Sequence, residues 1–316
     1  MISIKDVWDD AKAHHEAYVT GRLSELLKLN VGQSGYIEPP SLRKFMERNL
    51  PHFATGNVDT LRKLIVDATK TLDALRAEDE KTAFKRAARR AFDYSTFCQK
   101  STKPWSAYKL CEKAKRIICP YCNQAFAFTV VGTSTSFRPT LDHFFPKADY
   151  PYLALSLYNL VPSCYVCNSS LKGKKNFFVE HHLHPLEDGD ADEVRFDLVS
   201  SDNAYTFADL LHDDNLLNDF GRLEPHPHSP KAAASIETFL LRERFATNLP
   251  AIKRFIRLRK KFRPSKIEQY RRFFGEDFSI SEHLQFDVSE YKDHMLGKVL
   301  RDMYSAFNPL NEGDEQ

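Results

Sequence analysis

CPYCN at Cys119–Asn123, TLDHFFPK at Thr140–Lys147 and YNLVPSCYVCNSSLKGKK at Tyr158–Lys175 organise this chain. Four cysteines fall as two CxxC pairs, Cys119/Cys122 and Cys164/Cys167. A CxxC turn offers two thiolates at two corners of a tetrahedral zinc site, and a second pair completes it. One pair alone would equally suit a redox motif, so unligated or redox thiols are the alternative. The 41 residues between Cys122 and Cys164 exceed the ~15–20 of a simple zinc ribbon. A zinc here therefore clamps the two ends of an intervening segment that is too small for a hydrophobic core of its own. Four thiolates leave no open position, so this zinc is expected to be structural and not catalytic.

Between the pairs lies Asp142-His143, preceded by the β-prone Ser136–Leu141 and a turn at Gly132–Ser134. A carboxylate such as Asp142 suits a hard divalent cation. An imidazole such as His143 titrates near neutrality and can take a proton from an attacking water. Alone, an Asp-His dipeptide means little; its place between the CxxC pairs gives it weight. Asn159 can bind loop backbone through its amide and hold the histidine's strand, or it is an ordinary turn residue. Asn168 follows Cys167 directly, in a stretch able to begin a helix, and its amide oxygen is an acceptable ligand for a hard cation. Lys172, four residues on, would share its helix face. Lys172, Lys174 and Lys175, with Arg138 ahead of the Asp-His strand, are candidate phosphate contacts, the alternative being solvated charges. Residues 106–186 hold nine Lys/Arg against four Asp/Glu, a local excess that suits a polyanion.

These residues resemble the HNH endonucleases, in the variant whose last motif residue is Asn and in the zinc-bearing branch whose CxxC pairs flank the centre. The resemblance covers about Ile118–Lys175. It implies a ββα-metal hairpin-helix in which His143 is the general base and Asn159 orients it. Asp142 and Asn168 would hold one Mg²⁺ (or Mn²⁺), and DNA phosphodiester hydrolysis would leave a 5′-phosphate. More loosely, LDHFFPKADYP, the later His-Pro and the helical stretch Ile236–Phe262 are similar to HNH subunits of bacterial anti-phage systems of the Septu and retron kinds. That likeness implies an effector nuclease with an ABC/SMC-like ATPase as partner. A zinc-stapled module that binds nucleic acid or a partner without cutting, and a nuclease acting on RNA, are the other readings.

The expected fold class is mainly α with a small α+β core: a helical region over 1–105, the HNH module with its zinc over 106–186, and a helical region with a basic helix over 187–316. A chain of 316 residues with 42% hydrophobic residues can bury a real core. Its net charge of +2 means that any nucleic-acid contact must come from local patches. Residues 1–12 lack a basic start followed by an apolar core, and the longest apolar run, around Ala125–Val131, is far short of the ~20 residues of a bilayer span. A cytoplasmic protein without membrane segments is expected, and reducing conditions there favour zinc over disulfides. Cys98 and Cys111 fall outside the pattern and read as small buried hydrophobes.

The flanks carry weaker signals. Residues 3–29 read as helix with Val7, Trp8, Ala11, Leu23, Leu26 and Leu27 inward, and a second helix follows Ser41. Leu61, Ile65, Ala68, Leu72 and Leu75 line a third, which Asp59 could cap. A fourth, about Asp79–Tyr94, carries Lys81, Lys85, Arg86, Arg89 and Arg90, a solvated face or a phosphate track. His181, His182 and His184 read as structural rather than as a second metal site. Glu187–Glu193 is an acidic loop, Val194–Val199 a strand, and Glu224–Pro230 a Pro-rich connector. One long helix is expected from about Ala232, with Ile236, Phe239, Leu240 and Phe245 in the core, and a new one at Pro250. Lys253–Arg272, with ten Lys/Arg and one Glu, is the strongest basic feature outside the centre. Asn311–Gln316 reads as a frayed acidic tail.

Overall fold

The computed structural model describes residues 1–37, 39–100, 104–188, 193–202, 205, 209–210, 213, 215–262, 264–275 and 279–306. Part of the acidic loop at Glu187–Glu193 and the whole tail Asn311–Gln316 lie outside them. The chain is mainly helical with small antiparallel sheets. It forms two compact units: Ser3–Cys119 with Phe126–Gly189, and Met1–Ile2 with Pro120–Ala125 and Asp190–Gln316. The N-terminal helices and the Asp-His strand therefore belong to one unit. Among the described residues no helix is long and apolar enough to cross a membrane.

In the first unit, α1 (Lys12–Lys28), α2 (Pro40–Asn49), α3 (Val58–Asp73) and α4 (Glu78–Ala91) form the helical part. Residues 3–11 lie outside any helix, with turns over 5–11: Val7 N donates to Ile4 O and Ala11 N to Trp8 O. This path lets the buried Trp8 indole donate to Leu160 O at 2.9 Å. Helix α2 begins with Pro40 in its first turn, where the missing N–H costs nothing. Helix α3 is capped by Asn57 rather than Asp59, its side chain accepting from Thr60 N at 2.9 Å. Asn57 occupies the last non-helical position, where a side-chain oxygen can reach an orphan N–H, whereas Asp59 lies inside the first turn. Helix α4 has Glu78, Asp79 and Glu80 in its first turn and Arg89 and Arg90 in its last, the arrangement its dipole favours. Phe84, Ala87, Ala88 and Ala91 line its buried side. The core is aromatic: Phe45 meets Phe53, Phe84 and Tyr152, and Phe53 meets Phe92 at 4.9 Å between centroids.

Short helices α5 (Tyr94–Cys98) and α6 (Ala107–Glu112) lead to the hairpins. Strand β1 (Val130–Val131) pairs with β2 (Ser136–Phe137). At their turn, a Cβ on Gly132 would stand 2.6 Å from Thr135 O, so only glycine fits. Strand β3 (Thr140–His143) pairs antiparallel with β4 (Leu160–Ser163), with Asp142 opposite Val161 and His143 opposite Leu160. A π-helical segment, Val166–Lys172, follows and ends at Gly173 with φ 53°. The connection between β3 and β4 is anchored on the N-terminal helices. Leu157 N donates to Ala54 O at 2.9 Å, and His15 Nε2 donates to Leu155 O at 2.7 Å.

The second unit holds β5 (Val194–Ser200) paired with β6 (Phe220–Pro227), followed by α7 (Pro230–Thr238), α8 (Leu241–Ala246), α9 (Leu249–Lys261), α10 (Pro264–Phe274), α11 (Ile280–Leu284) and α12 (Gly297–Ala306). Most of the expected connector at Glu224–Pro230 is strand, because Pro225 and Pro227 pair with Phe196 and Val194 in a two-stranded sheet whose far side needs no donors. The single helix expected from Ala232 is two: Leu240 adopts φ 49° and breaks it, leaving its side chain 43% exposed while Phe239, Leu241 and Phe245 are buried. The basic run is broken too, between α9 and α10, and two of its cations face inward. Arg259 lies over the Tyr304 ring at 4.5 Å, and Lys260 donates to Leu210 O. Asn123, in the left-handed region, accepts from Lys298 N at 2.8 Å and donates to His294 O at 3.1 Å.

Candidate functional site

Cys119, Cys122, Cys164 and Cys167 come together, their sulfur atoms all within 4.8 Å of one another. Three are buried and Cys164 is half-buried. Zinc–sulfur bonds of about 2.3 Å in a tetrahedron place sulfurs roughly 3.8 Å apart. Four soft thiolates in such a cluster fit a zinc ion with no position left open, and they could hold one. Cys98 and Cys111 stand outside the cluster. Burial pushes the Cys111 thiol up to about 12, which keeps it protonated, whereas Cys98 is half-buried and hydrogen-bonded to Tyr94.

Asp142 and His143 are both buried on β3, and adjacent strand residues face opposite ways. The Asp142 carboxylate accepts from Lys172 Nζ at 2.8 Å, and the same ammonium donates to His143 O at 2.7 Å. The imidazole lies on the other side, packed edge to face with Tyr94 at 4.4 Å between centroids. His143 Nε2 sits 3.0 Å from Ala154 O. A carbonyl only accepts, so Nε2 carries the proton and Nδ1 is the basic nitrogen. Burial, with help from the Lys147 ammonium, pushes this imidazole down to about 3, so it is neutral at physiological pH.

Asn159 is fully buried. Its Oδ1 accepts from Phe145 N at 2.8 Å, and its Nδ2 donates to Phe145 O and Leu153 O, both at 3.1 Å. It ties the end of β3 to the turn that carries Ala154. Asn168 sits in the π-helical segment, half-buried, and its side-chain amide has no hydrogen bond among the described residues. Lys172 departs from the expectation of a phosphate contact: it is 3% exposed, because a buried carboxylate at Asp142 requires a counter-charge beside it. Lys174 and Lys175 are exposed. The Arg138 guanidinium donates to Pro139 O and lies 5.5 Å from the Tyr108 ring, so much of its surface is occupied within the fold.

Of the histidine run, His181 is exposed, while the other two are buried against aromatic rings. His182 stacks on Phe177 at 3.8 Å and His184 packs on Phe144 at 3.9 Å. Sequence reasoning passed over Tyr94 and Ala154, which frame the imidazole. A lone Tyr after a helix and an Ala in a loop carry no chemical signal of their own.

No family model matches this chain, and no solved structure does either. Over 74 residues it is 36% identical to protein ea31 of Escherichia phage lambda, a match that covers 23% of this chain and 22% of that protein.

Proposed function

We propose that this chain is a metal-dependent endonuclease of the HNH kind that hydrolyses DNA. The observation that carries the reading is the geometry of His143, whose Nε2–H is committed to Ala154 O, so that Nδ1 is the nitrogen that would take a proton from water. It neighbours a carboxylate on a β-hairpin that is followed by a helical segment bearing Asn168. Asp142 and Asn168 would hold the cation. Mg²⁺ needs few protein ligands beside water and phosphate. Such a cation withdraws charge from the scissile phosphate and stabilises the leaving oxygen. The ion pair with Lys172 holds the Asp142 side chain in place, and Asn159 fixes the backbone on both sides of the imidazole. The cysteine cluster, with a structural zinc, would pin the segment that carries these residues. The likeness to anti-phage HNH subunits supports an effector role beside an ABC/SMC-like ATPase, which co-purification with neighbouring gene products would test.

The decisive experiment is plasmid cleavage with Mg²⁺ or Mn²⁺, wild type against His143→Ala. Loss of a general base predicts a rate fall of roughly 100-fold or more. A wild type that leaves DNA intact even with its partner, or a His143→Ala variant that cuts as well, overturns the reading.

A further inference from the structure

A cleft of about 270 Å³ opens beside His143. Phe92, Tyr94, Pro151 and Ala154 line it, with Arg89 and Lys147 as its cations. Two of these residues are the imidazole's own neighbours: Tyr94 packs against it edge to face, and Ala154 O accepts its Nε2–H hydrogen bond. Lys147 Nζ lies 4.3 Å from the Tyr94 ring centroid, so cation, aromatic ring and imidazole follow one another in space. Arg89, from the last turn of α4, donates to Ala148 O at 3.3 Å through Nη2, and a guanidinium has four further N–H donors. Among the described residues, no acidic side chain lines the cleft.

We infer that this cleft takes one unstacked nucleotide of the nucleic-acid strand, beside the phosphate that His143 addresses. Its base lies against Tyr94 and Pro151, and its phosphate lies on Arg89 and Lys147. The inference rests on the nuclease reading for the position of that phosphate. An aromatic floor recognises any base through its π-face, and two cations without a nearby carboxylate recognise the charge that follows it. An apolar peptide has no use for the cations, and a free phosphate has none for the floor. Arg89 belongs to the N-terminal helices and not to the Cys119–Lys175 stretch, which gives those helices a part in substrate binding as well as in support.

The test is equilibrium binding of a fluorescein-labelled single-stranded oligonucleotide to the full chain, without added divalent cation and over a range of salt. The variants are Arg89→Ala with Lys147→Ala, and the charge-preserving Arg89→Lys with Lys147→Arg. The double alanine variant is expected to bind about tenfold more weakly, with a salt dependence shallower by roughly 0.7 in log–log slope, the change for one lost phosphate contact. The charge-preserving pair is expected to retain most of the affinity, and the single strand to bind more tightly than its duplex. Unchanged affinity and slope in the double alanine variant, or a preference for duplex, overturns the inference. Neither readout requires cleavage. A chain that binds in this way yet cuts no plasmid loses the nuclease reading and keeps the nucleotide cleft; one that cuts while the double alanine variant binds normally does the reverse.

Discussion

Lys172 and Lys174 stand two residues apart and look alike in the sequence, yet they have opposite consequences. Lys172 lies buried between the Asp142 carboxylate and the His143 carbonyl, while Lys174 is in solvent. Replacing Lys172 by Met leaves Asp142 a buried charge without that counter-ion, a change that costs about 3–5 kcal/mol. Lys174→Ala should stay within about 0.5 kcal/mol of wild type. Urea unfolding of the two variants measures the difference; equal stabilities would mean that the Asp142–Lys172 pair is not buried in solution. The Asp-His pair and its asparagines could be picked out from the sequence because their identities and order are local facts. The fate of Lys172 could not, because its counter-ion lies 30 residues earlier and no helix periodicity reports it.

At the scale of the element, the CxxC turns were readable for the same local reason: spacing alone places two thiols on one turn. The thiols do converge, within 4.8 Å. Where pairing depends on a distant strand, local punctuation misled. The prolines of β6 look like a connector until Val194 and Phe196 are found opposite them. Likewise nothing in ETFLLRERF marks Leu240 as the residue that takes a left-handed conformation. The cluster predicts about one tightly held zinc per chain by elemental analysis. Cys164→Ser should lose that zinc and aggregate or unfold, since metal affinity in such a site is folding free energy. A protein purified without chelators that holds no zinc would refute this.

At the scale of the whole molecule, the larger unit is closed by contacts between its first helix and the turn that supports the candidate base, and one of them titrates. His15 is fully buried. Its Nε2 donates to Leu155 O at 2.7 Å, and its Nδ1 accepts from Trp105 Nε1 at 3.2 Å. A partner 140 residues away leaves no trace in composition or periodicity, which is why the sequence offered no role for this histidine. Only one neutral tautomer satisfies both bonds, since a proton on Nδ1 would face the indole N–H. Burial pushes this imidazole down from 6.5 to about 4. The unfolded chain therefore takes up a proton near pH 6.5 while the folded chain resists until about pH 4. Stability should be level above pH 6.5, fall as pH drops towards 4, and level again below, with about 3 kcal/mol at stake from this group. Carboxylates and His143 also titrate in acid, so the comparison must be differential. His15→Gln keeps a donor for Leu155 O but cannot be protonated. It should be less stable than wild type at pH 7 and lose about 2–3 kcal/mol less than wild type between pH 6.5 and 4.5. Parallel urea-unfolding profiles across that window would mean that His15 is not held neutral, and that the helix-to-turn closure which positions Ala154 is looser than its hydrogen bonds imply.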